Sequence, residues 1–199
     1  MGGLTYGLST VEMAAAYAAF PRDGLYSSPY LYTVVTDSTG KILLSNGDYS
    51  VKVDENGNAV ITGQPTSTAI LSQATTFYMN QMLQHVVTDG TGKLAKLSNM
   101  TAAGKTGTTT NDYDRWFVGY TPYYTAAVWS GYDRQERINS AGNPSCILWQ
   151  KVMSRVHQGL ADKDFFSCSG LTYVKVCADS GLLATDSCAE DCRGSRGYS

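Results

Sequence analysis

Charge is scarce in this 199-residue chain: 16% of its residues are Asp, Glu, Lys or Arg, and the formal net charge is -2. So balanced a set lacks the clustered basic surface that a nucleic-acid backbone requires, which excludes nucleic acid as the main partner. Long apolar runs are missing too. The longest, Met13 to Phe20, is alanine-rich and falls far short of the roughly 20 residues that span a bilayer. No signal peptide is visible. Proline is rare, at 5 residues, and the 20 glycines follow no period, which rules out collagen-like and Pro-rich disordered chains. Only His85 and His157 are present, far from the cysteines, and no C-x-x-C pair occurs; a zinc ribbon is disfavoured.

What is present suits a packed domain. With 43% hydrophobic residues, the chain can bury a sizeable core as one large domain or one domain with an appendage. Cys146 stands alone, whereas Cys168, Cys177, Cys188 and Cys192 crowd the last stretch. Those four are read either as buried free thiols or as one or two disulfides, the latter placing the protein outside the cytoplasm. Cys177 to Cys188 is the best pairing, because Asp179-Ser180-Gly181 can turn the chain between them; closing that loop would add about 2–3 kcal/mol.

Ser9-Thr10-Val11-Glu12 is a capping box, in which the serine oxygen and the Glu carboxylate satisfy each other's orphan N–H groups. The helix it opens should stop near Phe20, before Pro21 and Gly24. Residues 30–63 change to period two. They read as two small hairpins turning at Asp37-Ser38-Thr39-Gly40 and Asp54-Glu55-Asn56-Gly57-Asn58, the Asn-Gly pair favouring a primed turn. Ser72 to Thr88 predicts a helix with Met79, Leu83 and Val86 as its apolar stripe and Ala74, Tyr78 and Met82 beside it. Strands are expected over 100–108, 115–120 and 123–132, with Thr121-Pro122 turning between the last two. A third helix starts at Asn143-Pro144 and ends before Gly159, with Leu148, Val152 and Val156 as its stripe and Trp149 and Met153 adjoining. Helix, tightly linked strands, helix means an α+β fold, an antiparallel sheet flanked by helices.

The informative stretch is Ala103-Gly104-Lys105-Thr106-Gly107-Thr108-Thr109-Thr110. A phosphate-binding P-loop fails, since residues 99–103 contain no glycine. An exposed structural strand is the plain alternative. The third reading is the K-T-G strand of serine acyl-transferases that bind penicillin. On a strand, Thr106 and Thr108 share one face and Lys105 takes the other. Two hydroxyls suit a carboxylate, the lysine supplies a fixed positive charge, and Gly107 lets an extended peptide lie close.

Other patterns weigh less. Gly90-Thr91-Gly92-Lys93-Leu94-Ala95 fits a dinucleotide fingerprint by letter but follows a helix, not a strand. Asn99-Met100-Thr101 is a glycosylation sequon, which would mean little if the source were bacterial. His85 reads as a packed or surface residue, and Asp112, Asp114 and Arg115 as a charged turn. The 14 tyrosines are explained by packing as well as by carbohydrate stacking.

The ordered blocks carry a resemblance. Leu4 to Ser9, Glu12 to Tyr17, Asp89 to Ala95, Gly104 to Thr109, Asn111-Asp112, Asp114 to Pro122 and Ser180 to Thr185 together resemble the transpeptidase domain of class A penicillin-binding proteins over nearly the whole chain. The resemblance implies part of the β-lactamase-like transpeptidase fold over residues 1–161, including the 30–63 hairpin region, with 162–199 as a cysteine-rich tail. It implies a parent that cross-links peptidoglycan stem peptides ending in D-Ala-D-Ala, binds β-lactams, and is membrane-anchored on the extracytoplasmic face. No metal or organic cofactor is implied. Carried over by residue, Lys105 biases the serine–lysine network, Thr106 and Thr108 hold the substrate carboxylate beside Gly107, and the Thr108 backbone N–H is one oxyanion donor.

One departure stands out. The family needs S-x-x-K and S-x-N before its K-T-G strand. Ser38-Thr39-Gly40-Lys41 matches the first by letter but sits in a hairpin turn, and no S-x-N occurs. Met1-Gly2-Gly3-Leu4 reads as a start placed on an internal segment of a longer chain. The expectation is therefore the C-terminal half of a transpeptidase domain, inactive alone. Missing its partner half, it would expose a sheet edge and self-associate. A noncatalytic peptidoglycan-binding module and a D,D-carboxypeptidase piece are the alternatives.

Overall fold

The computed structural model describes residues 6–172, 174–177 and 180–185. The chain divides into two compact units, Met1–Ser167 and Cys168–Ser199.

In the first unit, helix α1 (Thr10–Tyr17) starts at Ser9, where both bonds of the capping box form. A 3-10 turn at Phe20–Arg22 follows, because Pro21 donates no N–H to prolong the helix. Next come three two-stranded ladders. Strands β2 (Val34–Thr36) and β3 (Ile42–Ser45) pair antiparallel, as do β4 (Gly47–Val53) and β5 (Ala59–Pro65). Strands β1 (Leu25–Tyr26) and β6 (Thr68–Ala69) close the base of this arm; their two-residue length left no period to read. The β4–β5 turn differs from the primed form expected. Only Gly57 has positive φ, at 81°, and Asp54 N–H pairs with Asn58 O across it at 2.9 Å. The Asp54 carboxylate takes the backbone N–H groups of Asn56 and Asn58, so it shapes a wider loop ending in a left-handed glycine.

Helix α2 (Gln73–Thr88) leads to the three-stranded antiparallel sheet of β7 (Ala103–Thr108), β8 (Arg115–Tyr120) and β9 (Thr125–Ser130), in the order β7-β8-β9. Helix α3 (Pro144–Val156) returns across it, its N-terminus capped by Asn143. Phe117 and Tyr120, three residues apart on β8, point to opposite faces. Phe117 meets Trp149 of α3 edge-on, with ring centroids 5.2 Å apart. Tyr120 meets Phe20, 6.0 Å away, and donates its hydroxyl to Asn80 Oδ1 of α2 at 2.7 Å. Mixed helix and antiparallel sheet is thus the observed architecture.

In α2 the expected stripe is borne out at Leu83, which is buried, and at Met79, which packs against its cluster, but the rest of the buried face differs, and in α3 the expected stripe is not the buried one. In α2 the buried set is Thr76, Asn80, Leu83 and Val87, while Tyr78 and Met82 are exposed. Polar groups go inside because they are satisfied there: Thr76 donates to Gln73 O, and Asn80 joins Phe20 O to the Tyr120 hydroxyl. In α3, Cys146, Trp149 and Met153 are buried, whereas Leu148, Val152 and Val156 remain 50%, 46% and 44% exposed. Trp149 brings the larger apolar area, and its indole N–H reaches Ala126 O at 3.1 Å and Gly119 O at 3.3 Å. The adjoining stripe is the core stripe.

Cys146 is fully buried, and burial pushes its thiol up to about 11 from an ordinary 9.0. A raised folded pKa means that stability is unaffected below pH 9 and falls as pH climbs from about 9 toward 11, where the unfolded thiol ionises first. Iodoacetamide at neutral pH, with alkylated peptides mapped by mass spectrometry, is expected to leave Cys146 unmodified until the chain is unfolded. Prompt native alkylation would place that thiol at the surface.

In the second unit, Val176 and Leu183 bridge antiparallel, and Gly181, at φ 69°, donates to Cys177 O. Cys188 and Cys192 lie outside the described residues, and with them the expected Cys177–Cys188 pairing.

Candidate functional site

β7 is an outer strand. Among the described residues no strand pairs with its free side. Its placement rests on close backbone packing: a Cβ at Gly104 would lie 2.6 Å from Phe117 Cζ and 2.7 Å from Val118 O, so only glycine lets β7 approach β8 here. The register pairs Lys105 with Val118, Thr106 with Phe117, Gly107 with Trp116 and Thr108 with Arg115. Lys105 therefore lies on the face of Tyr120, and Thr106 and Thr108 on the face of Phe117.

Backbone direction matters as much as side chains. Thr109 N–H donates inward to Asp114 O at 3.2 Å. In an antiparallel ladder successive N–H groups alternate sides, so the Thr108 N–H turns to the free edge. Lys105 is exposed, and its ammonium bends to the Thr106 carbonyl at 2.9 Å, on that same edge. Thr106 Oγ1 lies 2.7 Å from Thr91 Oγ1, in the loop after α2. The free edge thus presents one positive charge, one hydroxyl pair and the outward N–H groups of Thr106 and Thr108. In chemical terms, such a set can pair with an extended chain and accept a carboxylate.

The far end of β7 is held by the turn over residues 109–114. Asn111 and Asp112 are both left-handed, at φ 63° and 60°, a conformation costing about 1–2 kcal/mol per residue and tolerated best by Asn and Asp. The Asp112 carboxylate bridges Arg115 at 3.0 Å and Arg137 at 3.1 Å. Asp114 accepts from Thr109 Oγ1 at 2.9 Å and from Trp129 Nε1 at 2.8 Å. The charged turn read from the sequence is a brace for the strand.

Ser38 and Lys41 lie in the β2–β3 turn, where Asp37 Oδ1 accepts the backbone N–H groups of Thr39 and Lys41. They share no helix with each other. His85 is exposed on α2, 3.6 Å from Asp89. Gly90 to Ala95 forms a loop and a 3-10 turn after α2, so no strand precedes it. A groove of about 710 Å³ runs between α1 and the β8–β9 turn, lined by residues such as Ala14, Arg22, Tyr30 and Tyr123 and not by β7. Among the described residues no helix is long and apolar enough to cross a membrane. Thr91 escaped the sequence reading, because a threonine between two glycines carries no spacing of its own.

Comparisons with known proteins agree with this geometry. A family model described as the penicillin binding protein transpeptidase domain matches residues 2–141. Penicillin-binding protein 1A of Clostridium perfringens is 38% identical over 96% of this chain and 21% of its own length. Penicillin-binding protein 1A/1B of Bacillus subtilis is 34% identical over 79% of the chain and 17% of its own. The chain thus spans about a fifth of the length of the curated relatives it matches. Among solved structures, penicillin-binding protein 1A from Haemophilus influenzae has the same fold, with a TM-score of 0.66 at 20% identity over 89% of this chain and 30% of that one. A D,D-transpeptidase domain of a peptidoglycan glycosyltransferase from Eggerthella lenta gives 0.55 at 24% identity, covering 79% and 37%. The chain belongs to the penicillin-binding protein transpeptidase family and corresponds to part of a class A transpeptidase domain.

Proposed function

We propose that this chain is the substrate-holding portion of a serine D,D-transpeptidase that cross-links peptidoglycan stem peptides and is acylated by β-lactams on the extracytoplasmic face of a membrane. One observation carries the reading: charge, hydroxyl and outward N–H are aligned along the free edge of β7. In the reaction, a serine from the rest of the parent chain attacks the penultimate D-alanine carbonyl. The serine O–C bond forms, the peptide C–N bond breaks, and the proton passes to the departing D-alanine amine. An acceptor amine then attacks the ester carbon and frees the serine. Here β7 pairs with the donor peptide, and the Thr106 and Thr108 hydroxyls hold its terminal carboxylate. Lys105 adds the charge that favours the deprotonating network, and the Thr108 N–H stabilises the oxyanion.

Mass spectrometry with penicillin tests this on two chains. One extended upstream to include an S-x-x-K helix is expected to gain a penicilloyl group on that serine. The 199-residue chain alone is expected to gain none. Its few charged hydrogen bonds contribute about 1.5–3 kcal/mol each before ordering costs, which leaves noncovalent binding no tighter than roughly millimolar. An extended chain that stays unlabelled, or an adduct on Ser38 or another serine of this chain, would overturn the reading.

A further inference from the structure

We propose that Thr91 is a positioning residue for the carboxylate-binding hydroxyl of Thr106, the outer link of a relay running Thr91 to Thr106 to ligand. The inference rests on the reading of β7 as the substrate strand and adds to it a residue outside that strand.

The two hydroxyl oxygens are 2.7 Å apart, so one of them donates to the other. An ionised carboxylate only accepts hydrogen bonds. A bound carboxylate therefore accepts a hydrogen bond from the Thr106 hydroxyl, and the bond between the two threonines can persist only with Thr91 as donor. In that direction the donation polarises the Thr106 hydroxyl and strengthens its bond to the ligand. It also fixes a rotor that the ligand would otherwise have to order.

The loop is built to hold this contact. Gly90 N–H donates to His85 O at 2.9 Å and Gly92 N–H to Val86 O at 2.8 Å, folding the chain back on the end of α2. A Cβ at Gly90 would meet Val86 Cα at 2.8 Å; one at Gly92 would lie 3.2 Å from Val86 Cγ1 and 3.3 Å from Phe117 Cε2. Phe117 is the cross-strand partner of Thr106. The ring that seats Gly92 therefore belongs to the residue paired with the hydroxyl that Thr91 touches. With Lys105 on its carbonyl and Thr91 on its hydroxyl, Thr106 is held at both polar ends.

The test compares acylation of the upstream-extended parent chain by penicillin and by its carboxylate methyl ester. Thr91→Val, which keeps the shape and removes the hydroxyl, is expected to slow acylation by the free acid about tenfold, and Thr91→Ser to restore it. The ester, which has no carboxylate to receive the relay, should be indifferent to Thr91→Val. In a Thr106→Val background, Thr91→Val should add nothing. Melting temperatures report folding, and Thr91→Ala replaces valine if the latter disturbs the loop. Equal slowing of acid and ester, or additive losses in the double variant, would reduce Thr91 to loop structure and overturn the inference. So would a rate indifferent to Thr91. A parent chain that is not acylated at all would overturn the proposed function and this inference with it.

Discussion

Lys105→Ala, made in a parent chain that carries the nucleophile, is expected to slow acylation by penicillin about 10²–10³-fold, the scale for removing one preorganised electrostatic group from an acyl-transfer site. The side chain is exposed and, among the described residues, bonds to the neighbouring Thr106 carbonyl alone, so folding should survive its loss. What disappears is a fixed charge at the free edge, where the ligand carboxylate and the proton-transfer network would both feel it. Stopped-flow labelling with a fluorescent penicillin, beside a thermal melt, separates rate from stability. An unchanged acylation rate would remove Lys105 from the reaction.

The second large effect concerns the scaffold. Trp149→Ala is expected to destabilise the chain by about 3–5 kcal/mol, the usual range for deleting a buried aromatic. The ring is fully buried, stacks edge-on against Phe117 and satisfies two carbonyls from β8 and β9. Total stabilities of about 5–15 kcal/mol leave little after such a loss. Leu148→Ala, one residue away on a half-exposed face, should cost well under ~1 kcal/mol. Urea unfolding of the pair decides which stripe of α3 is the core. A larger effect at Leu148 would mean that α3 is rotated.

The contrast at α3 shows where sequence reading succeeds and fails. Hairpins, an antiparallel sheet over β7, β8 and β9, and the helix starts were legible because short-range chemistry sets them: Ser9 and Asn143 cap, and Pro122 and Gly57 turn. Which face a helix buries is decided by partners remote in sequence. Asn80 is inside because Tyr120 and Phe20 offer it bonds, and no hydrophobic template can anticipate that. For the site, Lys105 to Thr108 were legible as letters and as alternating faces. The outward turn of the Thr108 N–H and the contact with Thr91 needed the ladder and the loop in place. The brace at Asp112 was visible only as nearby charges, since its left-handed backbone and its bond to Arg137 depend on where residues 137–138 return.

The late position of α3 also bears on how the chain is made. Phe117 shares its core with Val87, Ala95, Leu97, Met100 and Ala102, which come before it in the chain, and with Cys146, Trp149 and Met153 on the last helix of the first unit. A ribosome adding roughly 5–20 residues per second therefore leaves that core incomplete for about one to five seconds between the end of β9 and the end of α3. During that interval β7 offers free backbone edges beside a partly covered aromatic surface, the combination that draws nascent chains into misassembly. Folding of this unit must then wait on its final helix, and whatever shields the emerging polypeptide has to hold the sheet until Trp149 arrives.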